Sequence, residues 1–372
     1  MSLQLLGGLS PQQFLDEYWQ KKPLLIRQAV TDFPELIDLP RLIELAQRDD
    51  VESRLIEFKK NRWHMEHGPF RKARFDKLPE SDWTVLVSNV NQHVDHVSEL
   101  LYRFNFLPYT RLDDLMISYA PEGGSVGPHY DSYDVFLLQV GGTKRWQISS
   151  DDAGNFIEDA PIRVLKDFAS EQEWVLEHGD MLYLPPKYAH HGVALTPGMT
   201  YSIGFRAPKT QEIAGRFLEF LQDELKLDGM LSDPGRKTVE QPAEIDGDFS
   251  TRIKAMLQEI SWNDDTIGRF IGQYFTEPKN HVVYDAPDEP LDFDEFAASV
   301  AQHGISLDLK SQMLFDAEHI YINGEAVDCE PEAIATLREL ANQRSLPADD
   351  YDDSVLEVLY AYYDYGYLQL AG

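Results

Sequence analysis

The sequence predicts a central antiparallel β sandwich or barrel, then a helical region, then a small C-terminal module of winged-helix-like order. Three observations carry this. From Leu115 to Arg206 short apolar runs alternate with turn residues, among them Gly141-Gly142 and Pro197-Gly198. Strands at that spacing close into sandwiches or barrels. Helical periodicity returns at 211, with Ile213, Phe217, Phe220, Leu221 and Leu225 on one face. The last ninety residues then read as helix (292–302), strands around an Asn323-Gly324 hairpin turn, helices (331–343 and 353–363) and a final strand, Tyr367 to Leu370.

The remaining elements follow in order. Ser10-Pro11 ahead of Phe14, Leu15, Tyr18 and Trp19 is a capped amphipathic helix with proline in its first turn. Pro23 to Arg27 reads as a strand, 40–47 as a helix, and 54–58 with 62–66 as a hairpin. From Val85 to Phe104, the residues Val90, Val94, Val97, Leu100, Leu101 and Phe104 recur at helical spacing and predict one helix. The strands expected next are 115–120, 130–140, 145–148, 163–165, 174–176, 181–184, 191–195 and 199–206. Polar linkers are expected at 228–248 and 285–290, with the stripes Ile253-Met256-Leu257-Ile260 and Ile267-Phe270-Ile271-Tyr274 between them. This divides the chain into 1–208, 209–278 and 279–372.

Composition narrows the function. The 372 residues are 43% hydrophobic and 26% charged, a globular balance. No apolar run approaches the roughly 20 residues needed to cross a bilayer, so no membrane role is expected. The N-terminus lacks a basic n-region, and Cys329 is the single cysteine, which together point to the cytoplasm. The net charge is −31, and residues 207–372 hold 34 acidic against 12 basic groups. Phosphate backbones repel such a chain, so direct nucleic-acid binding is not expected. A basic protein would be attracted and oriented.

The chemistry centres on Gly127-Pro128-His129-Tyr130-Asp131. On a strand, i and i+2 share a face, so His129 and Asp131 can point together into a barrel. Further on, Gly179-Asp180 opens a strand, Pro185-Pro186 turns the chain and His190, about sixty residues after His129, starts the return strand. Two imidazoles and a carboxylate on one face of a metal leave open positions, the facial triad of non-haem Fe(II) oxygenases. His191, the next residue, should face the other way. A second copy, His93-Val94-Asp95, falls in the segment read as helix. There i and i+2 lie about 200° apart and cannot share an ion. His64, His67 and His96 read as surface or packing residues. Lys144, past the Gly141-Gly142 turn, could pair with the far carboxylate of a keto acid, while Arg145 faces away.

Several runs resemble the JmjC-type bacterial ribosomal oxygenases. They are Leu115 to Tyr119, Gly124 to Phe136, Lys144-Arg145-Trp146, Gly179-Asp180 with Tyr183, Pro185-Pro186 and His190, and Tyr201 to Pro208. Phe14 and Trp19 to Leu24 resemble the family's N-terminal entry. The resemblance spans essentially the whole chain. It implies a double-stranded β-helix (a JmjC or cupin-like jelly roll), a helical dimerisation region giving a homodimer, and a C-terminal winged-helix domain. It implies Fe(II), with 2-oxoglutarate and dioxygen as co-substrates. It carries over His129, Asp131 and His190 as iron ligands and Lys144 as the partner of the 2-oxoglutarate carboxylate. The activity it implies is hydroxylation of an arginine in the sixteenth large-subunit ribosomal protein. JmjC-type demethylation, or hydroxylation of another basic protein, would use the same iron centre. Ser118 and Ser202, on core strands, are further candidates for the keto acid. Glu122 and Asp134 are candidates to hold a guanidinium, with Tyr130 and Tyr133 packing on its plane. Of these tyrosines, Tyr133 is expected to share the inward face with Asp131 and Tyr130 is not.

Overall fold

A computed structural model describes residues 5–30, 34–150 and 154–371. The opening residues read for export signals lie partly outside that range. Twelve strands build the N-terminal half: β1 (Leu24–Ile26), β2 (Ser53–Lys59), β3 (Arg62–His67), β4 (Trp83–Val87), β5 (Leu112–Ala120), β6 (His129–Tyr130), β7 (Val135–Val140), β8 (Thr143–Ser149), β9 (Gln172–Glu177), β10 (Met181–Leu184), β11 (Ala189–Ala194) and β12 (Gly198–Phe205). They form an eight-stranded sheet, ordered β1-β10-β7-β12-β5-β4-β2-β3, and a four-stranded sheet, β6-β11-β8-β9. Every pairing is antiparallel, as a jelly roll requires.

Four helices precede or join these strands: α1 (Pro11–Glu17), α2 (Leu39–Leu45), α3 (Lys72–Phe75) and α4 (Asp95–Tyr102). Ser10 caps α1 in a reciprocal capping box with Gln13. Phe14 then reaches the core, within 5.5 Å (ring centroids) of both Phe136 and Tyr183. Alternation sorts the strands' two faces. Leu115 and Ile117 of β5, Tyr201 and Ile203 of β12, and Phe136 and Leu138 of β7 pack under the helices. Their neighbours, Asp114, Met116 and Ser118, then Thr200, Ser202 and Gly204, line a cavity on the opposite face.

Three predicted elements differ. The helix expected from Val85 to Phe104 is the strand β4, a short 3-10 turn (Val90–Gln92) and α4. All five residues of β4 are buried, so the run Trp83-Thr84-Val85-Leu86-Val87 is a fully covered strand, which period alone cannot tell from a helix. The strand expected at 130–140 breaks between Tyr130 and Val135, and Asp131 sits in the break. The stretch 163–165 contributes only a single bridge, Leu165 to Phe156.

Beyond the barrel come α5 (Thr210–Glu224), α6 (Gly247–Leu257) and α7 (Asp264–Thr276). The terminal module holds α8 (Phe293–His303), β13 (Ile305–Leu307), β14 (Met313–Phe315), β15 (Ile320–Ile322), β16 (Glu325–Ala326), α9 (Ile334–Gln343), β17 (Ser345–Leu346), α10 (Asp353–Asp364) and β18 (Leu368–Leu370). Its own core gathers around Phe296, Leu337, Leu340 and Leu359. α7 packs on this module: a side chain at Gly272 would collide with the Tyr321 ring, and Gly324 donates its N–H to Thr276 Oγ1 at 2.9 Å. Among the described residues, no helix is long and apolar enough to cross a membrane.

Candidate metal centre and co-substrate cavity

A cavity of about 530 Å³ opens between the two sheets, and His129, Asp131 and His190 meet on its wall. β6 and β11 pair so that His129 lies directly opposite His190. Their rings are 4.2 Å apart, centroid to centroid. Asp131 follows β6, and its backbone carbonyl accepts from Lys187 N at 2.8 Å, tying it to the turn that delivers His190. One ligand atom from each of the three lies within 4.8 Å of the others.

The donor set suits a divalent metal of intermediate softness. His129 Nδ1 is 3.0 Å from the Gly127 carbonyl, and His190 Nδ1 is 3.0 Å from that of Tyr188. A carbonyl only accepts, so each Nδ1 carries the proton and each Nε2 presents a lone pair. Burial, and then His129, push His190 down to about 4, so the imidazole is neutral at physiological pH. Asp131 Oδ2 stands 3.7 Å from His190 Nε2, close enough to share an ion. The second copy, His93-Val94-Asp95, makes no such group. It lies across the end of the 3-10 turn and the start of α4 rather than inside one helix.

Lys144, on β8, points into the same cavity and is 8% exposed. Its ammonium donates to Thr200 Oγ1 at 3.0 Å and lies 4.8 Å from the centre of the Trp146 ring. Desolvation pulls it down to about 8. Gly192, opposite Trp146 on β11, makes room for both: a Cβ there would come within 2.8 Å of the Trp146 ring and of Lys144 Cε. Ser118 and Ser202 also line the cavity. His191 and Arg145 lie outside it.

Two of the expected guanidinium carboxylates are elsewhere. Asp134 is fully buried beneath the sheet. It accepts from the Tyr183 hydroxyl at 2.6 Å and from Gln20 Nε2 at 2.9 Å, with Arg111 at 3.5 Å. It is thus a tie between barrel and N-terminal segment, on the face away from the cavity. Glu122 is exposed in the turn after β5 and does not line the cavity. Besides Asp131, the carboxylates that do are Asp114 and Glu52. Tyr130 lines the cavity as well as Tyr133, because the chain leaves strand geometry at Asp131 and alternation stops applying. Arg54, Met116, Thr200 and Arg163, which the sequence left unread, also line the cavity, as does His67, read from the sequence as a surface or packing residue. A signal was present for some: Asp114, Met116 and Ser118 are spaced by two on one strand, and Arg54 pairs with His67 across the hairpin.

Antiparallel sheets facing each other across a cavity, with a His-Asp-His group at one end and a buried lysine beside it, define a JmjC-type protein of cupin-like architecture. Comparison with known proteins agrees. The JmjC domain family matches residues 99–213, and the ROXA-like winged helix family matches 258–369. The chain is 32% identical to the ribosomal protein uL16 3-hydroxylase of Escherichia coli K12 over 345 residues, 92% of this chain and 91% of that one. It is 41% identical over 209 residues to a probable ribosomal oxygenase of Haemophilus influenzae, covering 55% and 52% of the two chains. The structure of the Escherichia coli ribosomal oxygenase YcfD in complex with cobalt and 2-oxoglutarate superposes with a TM-score of 0.83. Its identity is 32%, and the match covers 98% of this chain and 99% of that one. The chain belongs to the ribosomal oxygenase family of JmjC proteins.

Proposed function

We propose that the protein is an Fe(II)- and 2-oxoglutarate-dependent dioxygenase that hydroxylates an arginine side chain of the large-subunit ribosomal protein uL16. One observation carries this reading: two imidazoles locked with Nε2 bare, a carboxylate and a buried lysine converge on one cavity. In that cavity His129, Asp131 and His190 would hold the iron. Iron held there with 2-oxoglutarate would supply the chemistry of dioxygen activation, with oxidative decarboxylation of the keto acid to succinate and oxygenation of a C–H bond.

The chain's own residues do the rest. The Gly127 and Tyr188 carbonyls hold each Nδ1 as the donor, so Nε2 is the ring atom each histidine turns to a metal. Lys144 supplies a charge-assisted contact to the distal carboxylate of the keto acid, and Ser118, Ser202 and Thr200 offer hydroxyls along that wall. Asp114 is the carboxylate placed to receive a guanidinium. Its Oδ2 accepts from Asn89 N at 3.1 Å, and its Oδ1 faces Gly204, where a Cβ would crowd it at 3.2 Å. Tyr133, 38% exposed, and Tyr130 also line the cavity and would pack on the plane of the same group. The acidity of the chain supports a basic protein substrate, and the name of the Escherichia coli relative supports uL16.

The test is incubation with uL16, Fe(II), 2-oxoglutarate and dioxygen, followed by mass spectrometry. The expected product gains one oxygen on an arginine, with one succinate formed per event, and Asp131→Ala abolishes it in a protein that still melts cooperatively. Loss of a methyl group from a methylated basic protein, with uL16 untouched, would overturn the reading in favour of demethylation.

A further inference from the structure

Outside the cavity, one cation is wired into its wall. Lys279 lies three residues beyond α7, in the segment that leads from the helical region to the terminal module. Its ammonium makes an ion pair with Asp113 Oδ1 at 2.9 Å and donates to Asn89 Oδ1, also at 2.9 Å. Both contacts lead to Asp114. Asp113 is its neighbour on β5 and faces the opposite side of the sheet by strand alternation. Asn89, 3% exposed and held in the left-handed region at φ 54°, donates its backbone N–H to Asp114 Oδ2 at 3.1 Å.

We propose that Lys279 is a positioning residue for the substrate carboxylate Asp114, favouring its charged form and keeping it aimed into the cavity through Asn89 and Asp113. The inference rests on the assignment of Asp114 as the guanidinium acceptor. Two adjacent carboxylates repel each other, and burial adds to the cost of charging the inner one. The groups around Asp114 are Asp113 on its own strand, Glu52 ahead of β2, Arg54 on β2, the Asn89 N–H, Tyr133 above it and Lys279. Burial raises the Asp114 carboxyl, Lys279 is the largest opposing influence, and Asp113 and Glu52 push it further up. Among the described residues, no lysine or arginine forms a direct ion pair with Asp114, so its acceptor oxygen remains open for a substrate cation. Arg206, 3.9 Å from Asp113, is a weaker second cation on the outer side. A change in how the helical region seats on the barrel would therefore reach the substrate site through one side chain.

The experiment compares wild type, Lys279→Met and Lys279→Arg as full-length proteins, with thermal melts as a check on folding. In the first arm, carbon-13 NMR follows the aspartate carboxyls against pH, and Asp114→Asn identifies the Asp114 signal. Lys279→Met should move that titration to higher pH, and Lys279→Arg should restore it. In the second arm, the KM for an arginine-containing uL16 peptide should rise roughly three- to tenfold in Lys279→Met, most at the acidic end of the profile, while the KM for 2-oxoglutarate stays put. An unmoved Asp114 titration, or a peptide KM change that Lys279→Arg fails to reverse, would overturn the proposal. If wild type leaves the arginine peptide untouched while the titration still shifts, the coupling of Lys279 to Asp114 stands and the substrate assignment falls.

Discussion

Lys144 is the residue whose chemistry depends most on its surroundings. Replacing it with alanine should weaken 2-oxoglutarate binding by about 1.5–3 kcal/mol, the worth of a charge-assisted hydrogen bond. Its ammonium is held down to about 8 by desolvation alone. A dianionic keto acid needs the protonated form, so affinity should stay flat below pH 8 and fall above it. Calorimetric titration of the metal-loaded protein between pH 6 and 9.5 reads this directly, and an affinity unchanged through that range would remove Lys144 from the site. Asp134 separates a structural carboxylate from a binding one. Asp134→Ala strands the Tyr183 hydroxyl and Gln20, which should cost about 1–3 kcal/mol of stability. The melting temperature should drop, and the KM for the proposed arginine substrate should stay unchanged. His129, Asp131, His190 and Lys144 were legible as candidates because their spacing carries the chemistry. Asp134 misled because a carboxylate near the motif looks the same in sequence whether it faces a cavity or a core. Asp114 lay two residues from Met116 and four from Ser118 on one strand face, and extending that alternation backwards finds it.

At the scale of elements, alternation and capping were readable wherever one face is wet. The α1 cap and the β2–β3 hairpin fall in that group. β4 was not readable, since a strand covered on both faces has no period of its own. The helices α5 to α7 show the reverse case, an amphipathic signal with too little to cover it. Leu218 is 62% exposed, Leu257 59% and Trp262 51%. Monomeric proteins seldom leave so much apolar surface in one region. We infer that this region dimerises, as the family resemblance implied. Light scattering at tens of micromolar should give twice the chain mass, and Leu218→Glu with Leu257→Glu should halve it. A monomer at that concentration would sink the inference.

Charge is a property of the whole molecule. Residues 281–372 hold 20 acidic and 3 basic groups on a fold of winged-helix type, and fold alone does not decide what such a module binds. The field repels duplex DNA and attracts a basic protein. Screening contracts that field to about 8 Å at physiological ionic strength. Turnover of a basic peptide should therefore show a KM that climbs with salt, and DNA should not bind at any salt concentration. Tight, salt-sensitive DNA binding by the full chain would defeat the charge argument. A KM indifferent to salt would leave the acidity as a solubility device. The wider architecture, barrel then helices then acidic module, was legible because hydrophobic period and charge both change between these regions. What stayed hidden was α7 seating on Tyr321, a contact made by an absent side chain at Gly272.

Each imidazole of the His-Asp-His group takes its orientation from a carbonyl only two residues earlier in the chain, Gly127 for His129 and Tyr188 for His190. The lock is therefore a three-residue cassette at each histidine rather than a web of distant partners. Walls such as β5 and the β2–β3 hairpin can drift, and the clients of the cavity can change with them, without unlocking the centre. The reactive end is thus set by chain-local geometry, and changes in the walls can retune which side chain the cavity admits.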